Sequence, residues 1–254
     1  MKYPFWVLKS DALRLLKGKW KPLVVSLFLP FLAYCAFLVK KLLMETSMTN
    51  PVLSMELIFQ FDVATVAFTL ITEIITLGIY HNLHESKEKA SFFDVYAFGF
   101  RYSWKLLPAL GLWFILPTAV NMLMSYGNLA WFYDYLFFSL MSYEGYYLLL
   151  SILSLVVQIV GLYFQYALLL APCILADHPE YGAFQIVKES FRLSRGNKMY
   201  LFLLGFSFMG WVLLGSLAVI GVLWAMLYML GARYAYYRRL SRPVETVVEL
   251  NQML

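Results

Sequence analysis

The sequence predicts an all-α, polytopic membrane protein. About six transmembrane helices form three hairpins, each preceded by a cytoplasmic in-plane amphipathic helix, and both termini are cytoplasmic. Three observations predict this. The chain is 62% apolar and only 14% charged, against about 45–50% and about 25% in a soluble domain. The apolar excess is gathered into runs near the ~20 residues that cross a bilayer as helix. A basic, aromatic-rich segment leads into a long apolar stretch three times, at residues 11–20, 92–104 and 184–200.

Helices rather than strands follow from the runs themselves. Backbone groups in lipid must be satisfied within the chain, and membrane strands would alternate polar and apolar residues, which these runs do not. Six spans are expected at about residues 23–39, 57–80, 106–124, 147–176, 201–214 and 218–236. With the N-terminus in the cytoplasm, the basic residues of the cytoplasmic segments, Arg233 counted among them with Arg238, Arg239 and Arg242, fall inside, and only Lys40 and Lys41 fall outside. Such an asymmetry sets orientation. Residues 201–236 are short for two crossings, so a tight hairpin near Gly215 and Ser216 is expected, with Gly205, Gly210, Gly215 and Gly221 permitting close helix contact.

The single membrane domain divides into three units at about residues 5–80, 91–176 and 182–240, each a lead segment followed by two spans. In the third lead, Phe184, Ile186, Val187, Phe191 and Leu193 fall on one helical face, away from Lys188, Glu189, Arg192 and Arg195. That pattern suits a helix lying among lipid headgroups. Trp20, Arg101, Trp104, Arg192, Arg195 and Lys198 are the expected interfacial anchors. Asp177 and Pro179 read as the stop of span four and the start of the third lead helix, by capping and first-turn preference. Asp94, after Ser91, plays the same part for the second. Cys35 and Cys173 both lie in apolar runs, which leaves a disulfide framework unsupported.

Several stretches resemble a known family: Ala176-Asp177-His178-Pro179, Arg195-Gly196-Asn197-Lys198, Ser207-Phe208, Gly210-Trp211 and the opening Leu15-Leu16-Lys17-Gly18-Lys19-Trp20. They are similar to an uncharacterised family of bacterial integral membrane proteins, the domain of unknown function nine hundred seventy-five. His178-Pro179 stands where that family tends to have Asn-Pro, and Leu227-Tyr228 where it often has Pro-Tyr. The resemblance implies a multi-pass protein of the bacterial cytoplasmic membrane and supplies no activity. The layout is more distantly similar to the membrane domain of some glycerophosphodiester phosphodiesterases.

Inside the membrane, Asp62, Thr65, Thr69, Glu73, Thr76 and Tyr80 follow steps of three and four, so they share a stripe roughly 80° wide on span two. Ser151, Ser154, Gln158, Gly161 and Gln165 make a second stripe on span four, and Thr118 and Asn121 lie near the outer end of span three. A carboxylate in hydrocarbon costs at least ~2.5 kcal/mol, so such groups usually face an interior or a water-filled cavity. The candidate site is Asp62, Thr65, Thr69, Glu73, Gln158 and Gln165: a pocket for a cation, a proton or an amphiphile head group, or a set of packing hydrogen bonds. His81, His84, Glu85 and His178 fall at the cytoplasmic side without the H-E-x-x-H spacing of zinc proteases. They are expected to be solvated, with no metal.

No phosphate-binding G-x-x-x-x-G-K-[ST] loop, G-x-S-x-G elbow or dinucleotide loop occurs. The expectation is therefore a protein without enzymatic activity, ATP hydrolysis or cofactor. It would bind, move or protect against a hydrophobic or amphiphilic compound, a lipid or membrane-active peptide. The alternatives are a scaffold or accessory subunit of another membrane complex, and a membrane-embedded lipid hydrolase or transferase. Expected partners are membrane lipids and an amphiphilic ligand or another membrane protein, with no nucleic acid.

Overall fold

The computed structural model describes residues 3–45, 51–85, 91–115, 117–118, 143–216 and 219–241. Among them there is no strand. Helix α1 (Phe5–Leu16) is followed by α2 (Trp20–Glu45) and α3 (Pro51–His84). Helix α4 (Phe92–Tyr102) runs through a 3₁₀ turn (Ser103–Leu106) into α5 (Leu107–Leu110) and a π-helical turn (Gly111–Ile115). Then come α6 (Tyr143–Leu168), α7 (Ala171–Asp177), α8 (Ala183–Ser194), α9 (Lys198–Phe206), α10 (Met209–Ser216) and α11 (Val219–Ser241).

Among the described residues, four segments are long and apolar enough to cross a membrane: Trp20–Lys40, Val63–His84, Ser151–Asp177 and Lys198–Ser216. They coincide with four of the six expected spans. Of the expected span at 106–124, residues 106–115 and 117–118 are described. Its described start is a succession of short 3₁₀, α and π segments.

Each lead helix buries a narrow stripe of small or aliphatic residues one turn apart, the spacing that keeps side chains on one face. In α1 the stripe is Leu8, Ala12 and Leu16; in α4, Val95 and Gly99; in α8, Ile186, Ser190 and Ser194. The partner is in each case the second long helix of another hairpin. Ala12 and Leu16 meet Gly231 of α11, where a Cβ would lie 3.3 Å from Ala12 and 3.0 Å from Leu16. Val95 and Gly99 close on α3 so tightly that a Cβ on Gly78 would lie 1.9 Å from the Val95 carbonyl oxygen, and one on Gly99 2.2 Å from that of Ile74. The Ser190 and Ser194 hydroxyls both donate to the Ala167 carbonyl of α6, at 2.9 and 2.7 Å.

The face of α8 therefore differs from the expected one. Ser190 and Ser194 are buried, and Phe184 is exposed. Burial of the two serines is compatible with an apolar interior because each hydroxyl has an acceptor.

The first and third leads end in the same turn. Lys17 has φ −57° and ψ 126° and Gly18 has φ 80°, with the Lys19 amide donating to Leu16 O at 2.9 Å. Arg195 has φ −61° and ψ 120° and Gly196 has φ 78°, with the Asn197 amide donating to Ser194 O at 3.0 Å. These are type II turns, whose third residue must have positive φ. The second lead has no glycine here and passes directly into 3₁₀ helix.

Lysines satisfy the carbonyls at helix ends. The buried Lys19 ammonium donates to the carbonyls of Asn82 and, at 2.8 Å, Glu85, where α3 ends. Burial lowers the pKa of Lys19, and the charge of Glu85 opposes that shift. Lys105 does the same after α7, donating to Pro179 O at 2.6 Å and Tyr181 O at 3.0 Å. Lys9 reaches the break between α9 and α10, donating to Ser207 O at 3.1 Å with its ammonium 4.7 Å from the Phe208 ring centroid. Free C-terminal carbonyls of a helix need such donors.

Residues 201–236 form separate helices rather than one. At their turn Gly215 and Gly221 touch, since a Cβ on Gly215 would lie 2.6 Å from the Gly221 carbonyl carbon. Gly205 and Gly210, expected to serve the same end, face open space.

Candidate functional site

The second long helix of each hairpin contributes one strongly polar residue to a shared cavity of about 100 Å³. Glu73 comes from α3, Gln165 from α6 and Arg233 from α11. Thr76 and Tyr80 of α3 and Pro172 of α7 complete its polar and cyclic lining. The positions follow from the lead-helix contacts. Gln165 and Arg233 each lie two residues from Ala167 and Gly231, where α8 and α1 dock. Glu73 lies about one turn before Gly78, where α4 docks. The three small residues are where the lead helices pack, and the polar groups nearby line the space among the long helices.

Neither Glu73 nor Arg233 takes part in any ion pair found among the described residues. Arg233 Nη2 donates to the sulfur of Met229 at 3.6 Å. Opposite charges thus line one space without touching. The cavity exceeds several-fold the ~10–15 Å³ that one water needs. It is smaller than the ~300 Å³ at which pockets begin to bury a drug-sized ligand.

The sequence-derived candidates separate. Glu73 and Gln165 come together here. Thr69 instead bonds along its own helix, donating to Thr65 O at 2.9 Å. Gln158 is exposed and donates to Ser154 at 3.3 Å, on the outer surface of α6. Only part of each stripe therefore faces inward. The Asp62 side chain lies outside the described residues, as does Asn121.

Arg233 is the residue that sequence reasoning misplaced, by counting it among the cytoplasmic loop cations. The signal was present, because the apolar run continues through Tyr237, beyond Arg233.

A second polar cluster joins α3, α7 and α11. The Asp177 carboxylate is 4% exposed and lies 2.8 Å from His84 Nδ1; it also accepts from the Tyr237 hydroxyl at 2.9 Å. His178 Nε2 lies 3.6 Å away, and Tyr234 OH is 3.1 Å from His84 Nδ1. Asp177 ends α7 and does not start α8, which begins after Gly182 with Gln185 Oε1 accepting from the Gly182 amide. Nor are the histidines simply solvated. His84 is held by Asp177, and His81 stacks on Phe98 with centroids 3.7 Å apart at 4°. No three-residue metal-ligand group occurs among the described residues.

The expected anchors have partners of their own or stand exposed. Trp20 stacks on Trp224 at 5.4 Å, and Trp104 is exposed. Arg101 lies 5.8 Å from the Tyr102 centroid, and Lys198 3.4 Å from that of Tyr163. Arg192 is exposed and paired with Glu189, and Arg195 follows α8.

Comparison with curated proteins and with solved structures finds no match, so the likeness to the phosphodiesterase membrane domain is not shown. A family model described as protein of unknown function (DUF975) matches residues 5–243, from the first residue of α1 to just past the end of α11. That span takes in all three lead helices and every residue that lines the cavity, and the chain belongs to this family.

Proposed function

We propose that this protein binds the polar head of an amphiphile, a lipid or membrane-active peptide, in the Glu73–Gln165–Arg233 cavity. We place it as a multi-pass protein of the bacterial cytoplasmic membrane, acting by binding or transfer without chemistry or ATP hydrolysis of its own. The observation that carries this reading is the cavity itself. Charges among membrane helices each cost at least ~2.5 kcal/mol, and polar contacts between such helices return only ~0.6 kcal/mol on average. A carboxylate, an amide and a guanidinium around an open space are therefore poor packing devices, and a bound head group would offset their cost.

The cavity size suits a head group rather than a whole amphiphile. Leu155, Ile159 and Leu162, exposed on α6, lead along the same helix to Gln165 and offer a path for an apolar tail. The exposed basic residues Arg192 and Arg195 favour an anionic inner leaflet close by.

Native mass spectrometry of protein released from bacterial membranes tests the reading. Wild-type protein is expected to retain an amphiphile stoichiometrically and the E73Q/R233Q double variant to lose it. Equal retention by both, or none by folded wild type, would refute the cavity as the site.

A further inference from the structure

We infer that the bound head group is zwitterionic, with its anionic group, a phosphate or carboxylate, at Arg233 and its ammonium at Glu73. The inference rests on the head-group reading above and specifies its ligand class.

One cation and one anion line the cavity, from different helices, and neither belongs to an ion pair among the described residues. With both side chains ionised, their charges sum to zero. An anionic head would satisfy Arg233 and leave Glu73 facing like charge, and a cationic head would do the reverse. Each leaves one desolvated charge uncompensated, which is the costly outcome for a buried ion. A head carrying both charges satisfies both sides, and complementarity of this kind discriminates between partners more than it adds raw affinity.

The neutral lining fits as well. Gln165 offers both donors and acceptors, and the hydroxyls of Thr76 and Tyr80 can do either. They can complete bonds to a phosphate oxygen or an ammonium. A guanidinium suits an oxyanion because its planar donor fork bonds two oxygens at once. At about 100 Å³ the space limits the head to a compact group.

The head could belong to a lipid or to a free solute, and the test separates them. Four probes are titrated onto purified protein in detergent: short-chain phosphatidylethanolamine, phosphatidylglycerol and an alkyltrimethylammonium of matched chain length, and free phosphoethanolamine. Wild type is expected to bind phosphatidylethanolamine at least about tenfold more tightly than either singly charged amphiphile. E73Q is expected to shift preference toward phosphatidylglycerol, and R233Q toward the ammonium. Free phosphoethanolamine binding as well as the lipid supports the zwitterion with a soluble ligand as its source; much weaker binding supports it with a lipid as its source.

Equal binding of the three amphiphiles by wild type, or variants that weaken all three alike, would overturn the zwitterion assignment and leave the cavity as a head-group site. No binding of any probe would overturn both. Should either variant fail to fold, the wild-type series decides alone.

Discussion

Gly18 and Gly196 hold the same left-handed backbone, at φ 80° and 78°, each at the third position of a type II turn that ends a lead helix. Arg14-Leu15-x-Lys17-Gly18 and Arg192-Leu193-x-Arg195-Gly196 are the matching sequences. The turn swings the chain from a lead helix into the long helix that follows, so its backbone fixes the angle between them.

Alanine at Gly18 or Gly196 is therefore expected to destabilise the protein by about 1–2 kcal/mol, the cost of left-handed backbone for a residue with a Cβ. Alanine at Gly205 or Gly210, helical and facing open space, is expected to be neutral or to gain up to ~1 kcal/mol from helix propensity. Thermal unfolding of the four variants in one detergent checks the contrast.

The α3–α4 contact is closer than the α1–α11 contact, and the difference is measurable. A Cβ on Gly78 would meet backbone at 1.9 Å, whereas one on Gly231 would meet mainly the end of the Leu16 side chain at 3.0 Å. Overpacking that only backbone movement can relieve costs ~1–3 kcal/mol or more. Gly78→Ala is expected to cost more than ~2 kcal/mol and Gly231→Ala less than ~1 kcal/mol by the same reasoning, read as the difference in unfolding midpoint.

Arg239 joins the last helix to the first, its Nε and Nη2 donating to Asp11 Oδ2 at 3.0 and 2.6 Å, with the Arg239 side chain 4% exposed. Its guanidinium also lies 4.7 Å from the Tyr3 ring centroid. Removing one partner of a buried pair leaves an uncompensated charge, at ~3–5 kcal/mol when burial is complete. Asp11 is 25% exposed, so Asp11→Ala is expected to cost nearer ~2 kcal/mol. Arg239→Lys is expected to recover less than half of the loss from Arg239→Ala, because an ammonium lacks the planar fork.

Asp177 organises the second polar cluster through His84, His178 and Tyr237. Asp177→Leu strands those donors and is expected to cost about 3 kcal/mol. Asp177→Asn keeps an acceptor oxygen and is expected to cost roughly half as much. Chemical unfolding of both variants followed by tyrosine fluorescence measures the difference.

Local periodicity made the long helices legible, and with them Glu73 and Gln165, because a polar side chain in an apolar helix declares itself without knowledge of its neighbours. What lay beyond reach depended on which helices meet. The period of α3 places Thr65 and Thr69 on the same stripe as Glu73, yet of that helix Glu73, Thr76 and Tyr80 line the cavity. Ser190 and Ser194 lie outside the apolar face that the sequence sets out for α8, and only the approach of the Ala167 carbonyl makes theirs the buried side. Arg233 looked like a loop cation because a charge count by segment assigns every basic residue near a span end to water.

Access to the cavity from a single introduced thiol tests its occupancy most directly. In a background of Cys35→Ser and Cys173→Ala, Gln165→Cys places the one thiol on the cavity wall. Short-chain phosphatidylethanolamine is expected to slow its alkylation several-fold, and R233Q is expected to abolish that protection. A rate that the lipid leaves unchanged, in protein that still unfolds cooperatively, would contradict a head group bound between Glu73 and Arg233.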